Sequence, residues 1–78
     1  MPTVLNVRGF RFFFYSAEGS EPPHIHVEHD DAVAKYWLEP VELANSAGFR
    51  SPQLTQIRWL VLAHRENFLE KWNEHFSH

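Results

Sequence analysis

The segment Pro22-Pro23-His24-Ile25-His26-Val27-Glu28-His29 is where this chain concentrates side chains capable of chemistry. Successive residues of a strand point to opposite faces. An extended run from His24 therefore sets His24, His26 and Glu28 on one face, and Ile25 and Val27 on the other. Two kinds of chemistry suit that arrangement. Paired imidazoles sharing one proton can cleave RNA, activating the 2′-hydroxyl and protonating the leaving oxygen while an arginine steadies the phosphate. In this ribonuclease-type reading His24, His26 and Arg65 are the catalytic residues. Arg11 or Arg58 are alternative sources of the positive charge, and Tyr15 or Tyr36 of a hydrogen bond. The other chemistry is metal binding, with His24, His26 and Glu28 gripping zinc. A His-x-His pair is by itself a weak motif, and no other cofactor is implied. Against both stands a plain structural role, in which the histidines cap loop carbonyls or pack beneath a helix and the prolines stiffen the entry to the strand.

Seventy-eight residues leave room for one domain, spanning 1–78, and for no second core. A chain of this size buries only about 60% of the surface its unfolded form exposes. Seven Phe, three Trp and two Tyr compensate, because each brings a large apolar area. The absence of cysteine excludes disulfides and thiolate metal sites. A formal charge of −3 disfavours binding to nucleic acid through bulk positive charge. No apolar run approaches a membrane span and no basic-then-apolar leader opens the chain, so a soluble cytoplasmic protein is expected.

The elements that must position these residues divide at about residue 50. Residues 1–50 read as short strands: Thr3 to Val7, Phe10 to Tyr15, His24 to His29, Ala32 to Leu38, and a short Val41 to Ala44. Ser16 to Pro23 reads as a loop and Asp30-Asp31 as a hairpin turn. Phe10, Phe12 and Phe14 share one face of their strand, with Arg11, Phe13 and Tyr15 on the other. A strand apolar on nearly both faces belongs in the middle of a sheet or against a partner copy. Residues 51–78 read as one long helix. Ser51 is the expected N-cap and Pro52 the first helical residue. Leu54, Ile57, Val61, His64, Phe68, Trp72 and Phe76 form a stripe at three- or four-residue spacing, which Trp59, Leu60, Leu62 and Leu69 widen. A straight helix of roughly 25 residues is about 37 Å long. It outruns the sheet, so either a bend near His64 to Asn67 or an overhang used by a partner is expected. The predicted fold is α+β, a small, mostly antiparallel sheet packed against this C-terminal helix.

The Pro-Pro-His-x-His segment, followed by a returning strand and a helix carrying Trp59, His64-Arg65-Glu66 and Leu69-Glu70-Lys71-Trp72, resembles the domain-of-unknown-function 4160 family over nearly the whole chain. The resemblance implies a small bacterial protein, one of a family often encoded beside a domain-of-unknown-function 2442 protein in what has been suggested to be a toxin–antitoxin module. It lends weight to His24, His26, Trp59, His64, Arg65, Glu66 and Trp72. The expected function is thus that of one component of a toxin–antitoxin-like pair. It would bind its cognate protein through exposed aromatic surface at Phe13, Trp59 and Trp72, with ribonuclease activity, and RNA as a further partner, as the sharper form. The alternative is a non-enzymatic module, either a homodimer or a metal-binding regulator.

Overall fold

A computed structural model describes residues 3–15 and 20–76. Five strands, β1 (Thr3–Val7), β2 (Phe10–Phe13), β3 (His24–His29), β4 (Ala32–Leu38) and β5 (Val41–Ala47), precede two helices, α1 (Ser51–Ala63) and α2 (Arg65–Phe76). The strands form one antiparallel meander in the order β1-β2-β3-β4-β5. The loop expected at 16–23 lies partly outside the described residues.

Local chemistry explains the tight turns. Arg8 and Gly9 both take positive φ, 53° and 84°, between the paired residues Val7 and Phe10. That is the twist a two-residue hairpin needs. Asp30-Asp31 turns as predicted, with His29 paired to Ala32 across it. Pro40, which breaks the apolar run, follows a cis Glu39–Pro40 peptide in the turn between Leu38 and Val41. The last strand runs three residues further than expected, to Ala47. Its Asn45 and Ser46 read as turn formers, but pairing with Lys35 and Ala34 draws them into the ladder.

The helices cover one face of the sheet. Phe10, Phe12, Phe14, Ile25, Val27, Tyr36 and Leu38 pack there against Ile57 and Val61 of α1 and Phe68 and Trp72 of α2. Each such side chain contributes about 1.5–3 kcal/mol of burial. The predicted partition of β2 holds, and β2 is interior to the sheet. The single long helix does not. It is two helices of 13 and 12 residues that meet at His64, inside the stretch where a bend was expected. Hydrogen bonding continues across the join, from His64 N–H to Leu60 O (3.0 Å) and from Phe68 N–H to His64 O (2.9 Å). No glycine or proline marks the break. The bend lets Phe68 meet Phe12 and Trp72 meet Phe14, each at 5.3 Å between ring centroids.

Two details of α1 also differ from expectation. Arg50 stands at the N-cap position with extended backbone, and its N–H donates to Gln53 Oε1 at 3.0 Å. The Gln53 amide serves a helix-start donor, and the start moves one residue ahead of Ser51. Trp59 and Leu62, read as widening the buried stripe, point outward at 68% and 41% exposure.

Candidate functional site

Proline and register together place His24. Pro22 presents its carbonyl to the ring, and His24 Nδ1 donates to it at 3.0 Å. A carbonyl only accepts, so the neutral ring carries its proton on Nδ1 and its lone pair on Nε2. Leu38 N–H donates to Pro23 O at 3.0 Å, which extends the β3–β4 ladder past His24. The imidazole is fully buried. It meets Trp72 of α2 at 4.7 Å, Trp37 at 5.6 Å and His26 at 5.0 Å, the last two edge to face.

His26 lies on the sheet face away from the helices and is only partly buried. Its ring stacks on Phe13 at 5.5 Å and receives Tyr15 edge-on at 4.6 Å. Lys35 is its cross-strand partner. The Lys35 ammonium is 2.6 Å from Glu21 Oε1 and 4.5 Å from the centroid of the Trp37 ring. The same Glu21 oxygen is 3.6 Å from His24 Nδ1. Glu21, His24, His26, Lys35 and Tyr15 thus form one connected group at the end of the open face. Lys35, Glu21 and Trp37 were missed from sequence, although the signal was present. A two-residue turn at Asp30-Asp31 obliges His26 to face Lys35 and His24 to face Trp37.

The other predicted site residues are placed differently. Arg65 is turned to the β4–β5 connection, where its Nε donates to Leu38 O at 2.7 Å and its Nη2 lies 3.6 Å from Glu39. It pairs with neither imidazole. Glu28 shares the His26 face but is bound to Arg11 at 2.5 Å, and the Arg11 guanidinium also lies over the Phe13 ring at 4.4 Å. Among the described residues, no group of three or more His, Cys, Asp and Glu is placed to hold a metal ion. Two of the three aromatics expected at an interface are interior. Phe13 is 2% exposed and Trp72 5% exposed, so neither offers free surface in the single chain. Phe13 is enclosed by Arg11, His26 and Tyr15, and Trp72 by Phe14, His24 and Phe76.

Trp59 is the interface candidate that remains outside. It flanks an open hollow of about 530 Å³ between α1 and the β1–β2 turn, lined also by Arg8, Pro52, Gln56 and Ala63. No helix among the described residues is long and apolar enough to cross a membrane.

Burial pushes the Tyr36 hydroxyl above its usual value of 10.0, and the nearby Arg58 charge opposes the shift. Tyr36 donates to Leu54 O at 3.0 Å, so it stitches the sheet to the first turns of α1 and is unavailable as the catalytic donor considered above. No curated protein and no solved structure matches this chain. The family model described as Domain of unknown function (DUF4160) matches residues 9–73, a span that holds the Pro-Pro-His-x-His strand, all of α1 and α2 as far as Asn73: the chain belongs to this family.

Proposed function

We propose that this protein is a binding component of a two-protein, toxin–antitoxin-like module, and that it seats its cognate partner on the outward side of α1. The partner expected is a small protein of the domain-of-unknown-function 2442 type. One observation carries the reading: Trp59 is left 68% exposed on a helix that turns Ile57 and Val61 into the core. Tryptophan is among the residues most enriched at interface hot spots, and leaving one in water has no folding benefit. Leu62 on the same side adds apolar area.

Co-expression with a tagged partner of that type tests the proposal. A stoichiometric complex is expected from the wild type, and Trp59→Ser is expected to weaken it by more than tenfold. The proposal falls if no complex forms, or if Trp59→Ser binds as well as the wild type.

A second reading, ribonuclease activity, draws support from the 5.0 Å approach of the His24 and His26 rings with Lys35 beside them. In that case His26, the more accessible imidazole, meets the substrate, and Lys35 takes the phosphate role first given to Arg65. Cleavage of single-stranded RNA by purified wild type, lost in His26→Ala, would support it. Intact RNA with both proteins would remove it.

A further inference from the structure

The β1–β2 turn contains a residue that the fold does not ask for. Arg8 sits at φ 53°, in the left-handed region that long side chains rarely adopt and that Gly, Asn or Asp occupy at less cost. Among the described residues the other non-glycine with positive φ is Asp30, a type that tolerates it. Arg8 also repays nothing within the chain: its guanidinium makes no hydrogen bond or ion pair with any described residue. An arginine held in an unfavourable conformation and left unpartnered points outside the molecule. It lines the same hollow as Trp59, Thr55 and Gln56 of α1.

From this juxtaposition we infer that the α1 hollow recognises an amphipathic segment of a partner protein, with a carboxylate set against Arg8 and an apolar side chain laid on Trp59. The inference rests on the proposal that the partner sits on α1, and it adds the chemistry of what is bound. Charge decides the class. The chain as a whole carries −3, so an acidic ligand gains nothing from the overall field and must be drawn by a local cation. Arg8 supplies one, and a guanidinium matches a carboxylate through two parallel hydrogen bonds. A basic segment would meet that charge as a repulsion.

Two synthetic helical peptides test this, identical in their leucine stripe but flanked by Glu in one and by Lys in the other. The readout is the indole resonance of Trp59, assigned by its loss in Trp59→Ser. The Glu peptide should shift it with about 3–10-fold tighter binding than the Lys peptide. Arg8→Asn should abolish that preference, and by relieving the turn it should raise the melting temperature by about 2–6 °C. Gain of stability with loss of selectivity is a combination that a merely structural arginine would not give. Equal binding of the two peptides, no shift with either, or unchanged selectivity in Arg8→Asn would each overturn the inference. If the cognate protein still needs Trp59 but ignores Arg8→Asn, the docking proposal stands and only this inference falls. If the cognate protein does not need Trp59, the docking proposal falls.

Discussion

His24 and His26 are two residues apart, yet the fold gives them different tasks, and substitutions at the two positions report on different things. His24 is fully buried between Trp37 and Trp72. Truncating it leaves a cavity lined by indoles that cannot collapse, so His24→Ala should cost about 2–4 kcal/mol. His26 is partly exposed, and His26→Ala should cost about 1 kcal/mol or less. Urea denaturation of the two variants checks the ranking, and equal losses would refute it. The practical consequence is that lost activity in His24→Ala reads as lost folding, whereas loss in His26→Ala reads as chemistry. Tyr36 makes a second prediction at this scale. Its folded-state pKa lies above the unfolded value of 10.0, so the native state holds the phenolic proton more tightly. Stability from this group is fully present below pH 10 and is lost as pH rises from there through the folded value. Tyr36→Phe should be about 1 kcal/mol less stable at neutral pH, through loss of the bond to Leu54 O, and less steep above pH 10. Melts at pH 8 and pH 10.5 measure both effects, and a parallel decline in the two proteins would count against the assignment.

Elements are held by turns, and the positive-φ glycines among the described residues, Gly9 and Gly48, differ in what surrounds them. A Cβ on Gly48, at φ 90°, would stand 3.1 Å from the Cα and Cβ of Ala32, which belong to a paired strand and cannot retreat. A Cβ on Gly9, at φ 84°, would meet only the His29 imidazole at 3.2 Å, a side chain that can rotate at the loss of its bond to Gly9 O. Gly48→Ala should therefore destabilise by more than Gly9→Ala, with both above about 1 kcal/mol. Thermal melts giving the reverse order would refute the steric argument. Residue types declared most of these elements in advance: alternating aromatics gave β2 its faces, Asp30-Asp31 gave the β3–β4 hairpin, and Ser51-Pro52 the start of α1 within one residue. The break at His64 was legible only as a length problem, since no local residue signals it and tertiary packing of Phe68 and Trp72 determines it. The site was half legible for a similar reason. Alternation put His26 and Glu28 on one face, but that Arg11 would neutralise Glu28, and that Arg65 would turn to Leu38, depends on contacts between elements distant in sequence.

At the scale of the molecule, one sheet face carries the helices and both sheet edges are interrupted. Pairing shifts register in β1 between Thr3 and Leu5 and again opposite β5 between Lys35 and Tyr36. Such irregularities discourage strand addition at an edge, which leaves the outer side of α1 as the better place for a partner. The three tryptophans make this asymmetry measurable, because the same residue type has been given opposite environments. Trp72 is 5% exposed and packs on Phe14, His24 and Phe76; Trp59 is 68% exposed. Trp72→Ala should cost about 3–5 kcal/mol, a large share of the stability available to a domain this small. Trp59→Ser should move stability by no more than about 0.5 kcal/mol, because a solvent-facing indole contributes little to the core. In acrylamide quenching, the wild type should lose its most accessible emission component and Trp59→Ser should lack that component from the start. Binding of a partner should then shield Trp59 selectively. A Trp59→Ser protein that melts far below the wild type would mean the indole is holding the fold together. With that result the strongest reason for placing a partner on α1 would be gone.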